Sequence, residues 1–342
     1  MPRTLTHLLQ TAHHLATPRT HRTRTHRTRT HWRTMAAAPP PSRPIKLLML
    51  HGYTQSGPLF QAKTGALRKT LQKAFPAGIE LVYPTAPIRL TPADESFLSN
   101  AQGNGNGNGS ANGEEEQQIE AFAWWRRTNN PPNTTTAANG STSSDKKASV
   151  EPYTYTGLDI GLAHLAAILT AQGPFDGVIG FSQGGACAAM LAALLEPGRR
   201  DAFARKEKEG GMRFPTSFEA DADTHGDVPI VHPPLKFAVS YSGFAALGTS
   251  AYTAFYDPKI ATPVLHFLGT QDVVVEEARS LALVKACAHG GERYVVYHPG
   301  GHFLPSTQKA SVNALVGFIK EVLAGKGGEG EEESVADMDV PF

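Results

Sequence analysis

Past Pro44 the chain alternates between short apolar runs and longer stretches in which apolar residues recur every three or four positions. Ile45–Leu50 is a compact apolar run ending at His51-Gly52, and reads as a buried strand. Gln61–Phe75 has helical spacing, and Glu80–Tyr83 is a second strand stopped by Pro84. Gly157–Ala171 predicts an amphipathic helix, followed by the strand Asp176–Ile179 and the Ala/Leu-rich helical segment Ser182–Leu195. Lys236–Tyr241, Val264–Leu268 and Arg293–Tyr297 predict three more strands, with helices at roughly 275–288 and 309–323. Alternation of this kind, with strands apolar throughout, predicts an α/β fold: a mostly parallel central sheet of about six strands with helices on both faces.

Three stretches break the rhythm. A Gly/Asn repeat at Asn100–Gly113 marks an insertion near 97–118, an Asn/Thr/Ser/Pro-rich stretch marks one near 128–152, and a charged stretch interrupted by Gly and Pro marks one at 199–231. All three read as surface segments without a core of their own. Between the first two lie Phe122, Trp124 and Trp125, which either line a site mouth or anchor a loop to the core. Residues 324–342 form an acidic tail with six acids and one Lys. The expected organisation is a leader at 1–44, one domain at 45–323 and that tail.

Charge sharpens this division. Residues 1–34 hold seven Arg, six His and no acid, so the remainder carries 25 Lys plus Arg against 31 Asp plus Glu. No basic face is left to suggest nucleic-acid binding. The leader reads either as a mitochondrial presequence or as a low-complexity extension upstream of a true start at Met35; its Thr-His-Arg repeat lacks the periodic apolar face of a presequence helix. The second reading places the protein in the cytoplasm, with the nucleus also open to it, and the first in mitochondria. The longest apolar run, Ala186–Leu195, has ten residues where a membrane span needs about 20. Two cysteines, Cys187 and Cys287, fit a reducing compartment rather than a disulfide framework.

Candidate chemistry begins at Gly180-Phe181-Ser182-Gln183-Gly184, a G-x-S-x-G motif. Alone it is a weak signal, but a strand leads in and a long helix follows, the context of a nucleophile elbow. Gly180 and Gly184 allow strand and helix to approach closely, and the helix N-terminus favours negative charge at the reacting centre. A tight strand-to-helix turn without chemistry is the plainer alternative. A serine needs a base. His302, in His298-Pro299-Gly300-Gly301-His302, follows the last strand and is the candidate; His298 adjoins that strand and is expected to be structural. Asp272 follows Val264–Leu268 and is the candidate acid, with an N-cap role as its alternative and Glu276 and Glu277 as neighbouring carboxylates. Ser182, Asp272 and His302 thus occur in the chain order of an α/β-hydrolase triad. The backbone amides of Gln183 and Tyr53 are the expected oxyanion donors.

The segments Leu50–Gly57, Gly180–Gly185 and His298–Pro305 together resemble the FSH family of serine hydrolases, within the α/β-hydrolase superfamily. The resemblance spans about 45–320, interrupted at the three insertions. It implies an α/β-hydrolase fold and a cytosolic carboxylesterase or thioesterase with no cofactor and no metal, acting on a small-molecule ester or thioester. Two alternatives stay open: acyl transfer on the same residues, and a non-catalytic ligand-binding protein on the same scaffold. Acyl-chain length, leaving group and oligomeric state are not written in the motifs.

Overall fold

The computed structural model describes residues 43–91, 94, 120–129, 152–221, 229–246 and 248–325. Extended backbone sends alternate side chains to opposite faces. In β1 (Ile45–Leu50), Leu47 and Met49 therefore enter one hydrophobic layer while Leu48 and Leu50 enter the other. Strand β2 (Ile79–Val82) pairs with β1. Two short antiparallel pairs follow: β3 (Ile88–Arg89) with β4 (Phe122–Ala123), and β5 (Arg126–Asn129) with β6 (Tyr153–Thr156). With β7 (Gly177–Phe181), β8 (Phe237–Tyr241), β9 (Val264–Gly269) and β10 (Val295–His298), the main sheet runs β10-β9-β8-β7-β1-β2, and all its pairings are parallel. Every residue of β7 and β8 is buried, which requires cover on both faces.

That cover comes from helices. One face packs against α1 (Gly57–Lys63) and α2 (Gly65–Ala74) through Phe60, Leu67 and Leu71, and against the C-terminal helix Lys309–Leu323 through Leu315, Phe318 and Ile319. On the other lie α3 (Leu158–Gln172), α4 (Gln183–Leu194), α5 (Arg199–Glu207) and Leu283 of α6 (Glu277–Lys285), which makes Lys309–Leu323 α7. All twelve residues of α4 are buried. Its glycines and alanines let it lie directly on the sheet, as a helix with an apolar surface all round must.

Two expectations change. The single helix expected over Gln61–Phe75 is two helices, and it starts earlier because Ser56 caps α1 by accepting the Leu59 amide at 3.4 Å. They part at Thr64, whose hydroxyl donates to the Phe60 carbonyl at 2.7 Å and lies 3.0 Å from the Tyr83 hydroxyl. The charged stretch from 199 onward does not lie wholly on the surface: Phe203, Phe214 and Phe218 are buried in the layer that holds α4. Arg199 is itself buried, because Glu196 and the carbonyls of Ala193 and Ala254 satisfy its guanidinium. The insertion near 97–118 and most of that at 128–152 fall outside the described residues, as do nearly all of the leader and of the tail.

Strands β1, β7, β8, β9 and β10 all deliver their following loops to one edge of the sheet. In open parallel sheets ligands bind beyond the strands' carboxyl ends. His51–Tyr53, Ser182, Asp272 and His302 all lie on that edge.

Candidate active site

Ser182 links β7 to α4 with φ 55° and ψ −117°, a backbone region that side chains avoid. Such a conformation costs on the order of 1–3 kcal/mol and persists only where the surroundings impose it. Here they do: the Ser182 amide donates to the Tyr241 carbonyl at 2.7 Å, and its own carbonyl accepts the Ala186 amide at 3.0 Å. The flanking glycines are required by space. A Cβ on Gly180 would strike the Gly184 carbonyl, and one on Gly184 would strike the carbonyls of Leu50 and His51.

Asp272 and His302 come from neighbouring loops that are fastened together. The Thr270 amide donates to the His298 carbonyl at 3.1 Å, and the Gln271 amide to the Gly300 carbonyl at 2.9 Å. Gly300 has φ +133°, where a Cβ would run into the Phe303 ring. The loop therefore turns His302 back towards β7. Its Nδ1 lies 2.8 Å from Asp272 Oδ2 and its Nε2 lies 2.9 Å from Ser182 Oγ. The Phe181 ring sits against the imidazole, centroids 4.9 Å apart.

The Asp272 carboxylate fixes the direction of both bonds. Burial by itself would raise its pKa, but the hydrogen bond from His302 and the Val275 amide outweigh it and hold the group at about 2. Ionised, Asp272 only accepts, so His302 Nδ1 carries the proton and Nε2 is left to accept from the Ser182 hydroxyl. Oδ1 takes the amides of Val274 at 3.0 Å and Val275 at 2.9 Å. Asp272 thus caps a turn in its own loop rather than the helix beyond, whose N-cap is Glu276. Glu277 accepts from the Tyr297 hydroxyl and takes no part. His298 is buried edge-on to Phe303, and burial lowers its pKa.

Gln183 is the first residue of α4, where a backbone amide has no acceptor within its helix. Tyr53 lies on the loop after β1, beside the elbow: a Cβ on the preceding Gly52 would come within 3.3 Å of the Ser182 Cβ. That loop is held by bonds with no sequence signature. The Trp124 indole donates to the His51 carbonyl at 2.9 Å, and the Thr54 amide to the Phe122 carbonyl at 3.0 Å. His51 Nδ1 donates to the Gly52 carbonyl while Nε2 accepts the Ala86 amide at 2.9 Å. The Gln183 side chain joins the same lattice, accepting the Trp124 amide and donating to the Trp125 carbonyl, both at 2.8 Å. Trp124 and Trp125 are buried, so these aromatics anchor the loop to the core. Thr54 and Ser242 share the positive φ of Ser182, at 67° and 47°, which places three strained non-glycine residues on this edge of the sheet. Among the described residues no cluster of three or more His, Cys, Asp or Glu side chains is placed to hold a metal ion.

The chain is similar to several known proteins. A Schizosaccharomyces pombe protein named dihydrofolate reductase is 34% identical over 77% of this chain, which spans only 44% of that relative's length. Esterase OVCA2 of Danio rerio is 30% identical over 77% of this chain and 91% of its own. Family of serine hydrolases 3 of Saccharomyces cerevisiae is 29% identical over 85% and 90% respectively. The family model described as serine hydrolase (FSH1) matches residues 41–314, and the chain belongs to that serine hydrolase family.

Proposed function

We propose that this serine hydrolase cleaves carboxylic esters or thioesters of small molecules through an acyl-enzyme on Ser182. The observation that carries the reading is the unbroken line Asp272–His302–Ser182, with 2.8 and 2.9 Å links, ending on a strained elbow. In the first step Ser182 Oγ attacks the acyl carbon while His302 Nε2 takes its proton. Ionised Asp272 stabilises the imidazolium that forms. The carbonyl oxygen gains the negative charge, and the backbone amides of Gln183 and Tyr53 donate to it. Collapse breaks the bond to the leaving oxygen or sulfur, which receives the proton from His302. Water then enters as the second nucleophile by the same proton path, releasing the acid and restoring Ser182.

The test is hydrolysis of p-nitrophenyl esters from acetate to palmitate, with Ser182→Ala in parallel. The reading predicts turnover on at least one ester, lost in the variant, and a chain-length optimum that measures the acyl site. A folded protein with equal activity in both forms would end it.

A further inference from the structure

A general acid can protonate only what lies within hydrogen-bond reach of it. The leaving group must therefore depart on the side of Ser182 that His302 faces, while the acyl chain extends elsewhere. His302 lines a cavity of about 290 Å³. Its other walls are Gln55 on the loop after β1, Phe60 and Lys63 of α1, Thr64, Phe181 from the end of β7, and Phe303 and Leu304 just after the histidine. The volume sits at the lower end of the range for small-molecule sites, about 300–1,000 Å³. The apolar walls belong to two settings. Phe60 and Phe181 are buried in the sheet's hydrophobic layer, whereas Phe303 is 41% exposed. Phe303 packs edge-on against His298, and the rest of its ring stands open beside the imidazole that faces Ser182.

We infer that this cavity is the leaving-group subsite and that it selects esters of bulky apolar alcohols, aromatic ones above all. The inference rests on the triad reading above. The Phe181 ring, already 4.9 Å from the imidazole, and the Phe303 ring offer two aromatic faces to a leaving group. Besides Lys63, two polar side chains line the cavity, and the Gln55 side-chain carbonyl oxygen already accepts the Gly52 amide at 3.4 Å. The Thr64 hydroxyl is committed to the Phe60 carbonyl and lies against the Tyr83 hydroxyl, so it offers little to a charged or strongly hydrated alcohol. Lys63 at the rim admits a polar tail that remains in water.

The experiment crosses two substrate series. One holds the acyl group as butyrate and varies the alcohol through methyl, n-butyl and benzyl; the other holds the alcohol and lengthens the acyl chain. Each is followed by titrating the released acid, for the wild type, Leu304→Ala and Leu304→Trp. Benzyl butyrate should exceed methyl butyrate in kcat/KM for the wild type. Leu304→Trp, which fills the cavity, should lower the benzyl-to-methyl ratio by about tenfold or more, the size of a lost apolar contact in a pocket. Leu304→Ala should keep the preference for benzyl. In neither variant should the acyl-length profile move. A Trp variant whose ratio is unchanged, or whose penalty follows acyl length instead, would overturn the assignment while leaving the triad intact. Absence of all turnover, together with an unlabelled Ser182 after exposure to a fluorophosphonate, would remove the triad reading and the subsite with it.

Discussion

Replacing Asp272 with Asn changes one atom, and the surrounding hydrogen bonds dictate where the new group must point. Oδ1 accepts two backbone amides, from Val274 and Val275, at 3.0 and 2.9 Å. An NH₂ in that place would face two donors, so the amide oxygen of the new side chain stays there and its NH₂ takes the position of Oδ2. That position is 2.8 Å from His302 Nδ1. A donor there drives the imidazole to the tautomer protonated on Nε2, which then points a proton at Ser182 instead of a lone pair. General-base assistance is lost although no heavy atom moves. The expected fall in kcat is about 10³–10⁴-fold, equivalent to roughly 4–5.5 kcal/mol in the barrier. Asp272→Ala imposes no tautomer and should be no more impaired than Asn. Steady-state hydrolysis of a p-nitrophenyl ester near pH 7.5, with circular dichroism to check folding, measures both. An Asn variant within about tenfold of wild type, or clearly faster than the Ala variant, would refute the tautomer argument.

Other consequences concern stability. Ser182→Gly relieves the φ 55° conformation, and relative to Ser182→Ala, which lacks the same hydroxyl, it should be about 1 kcal/mol more stable in urea despite the greater freedom of an unfolded glycine. Gly184→Ala drives a Cβ into the carbonyls of Leu50 and His51 and should cost roughly 3 kcal/mol or prevent folding, whereas Gly65→Ala, with open space around it, should be neutral or stabilising in a thermal melt. Burial lowers the His51 pKa to about 4, against the bond to the Gly52 carbonyl that favours the cation; its Nε2 accepts an amide and cannot also carry a proton. Because the unfolded chain then binds the proton more readily, the His51 contribution to stability should fall as pH drops from about 6.5 towards 4, by roughly 3 kcal/mol, with buried His266 adding a loss in the same direction. Urea titrations at pH 7 and pH 4.5 measure this, and His51→Gln should lose less stability between the two than the wild type does.

The elbow was legible because its requirements are local: strand, two glycines, serine and helix follow one another along the chain, and the clashes at Gly180 and Gly184 explain the spacing. Asp272 and His302 were legible by position, since each follows a strand whose apolar run is plain. What holds the loop after β1 beside the elbow was not. Gln183 reaches Trp124 across 59 residues, and His51 reaches Ala86 across 35, through bonds that leave no periodicity. The break at Thr64 turns on one hydroxyl satisfying a carbonyl, which spacing cannot reveal. Arg199 sat in a run of charges that reads as solvated, yet its partners are the carbonyl of the distant Ala254 and the nearby Ala193 carbonyl and Glu196 carboxylate. The cavity beside His302 draws walls from α1, β7 and the last loop, and exists only once the sheet has brought them together.

The central claim is that Ser182 is an activated nucleophile, and covalent labelling addresses it without knowledge of the substrate. The full chain would be exposed to a fluorophosphonate at neutral pH, and its intact mass and labelled peptide determined, alongside Ser182→Ala and His302→Ala. The account predicts one phosphonyl adduct per chain, carried by Ser182, absent from the first variant and strongly slowed in the second. A folded protein that takes no label, or takes it elsewhere while Ser182 stays unmodified, would contradict it.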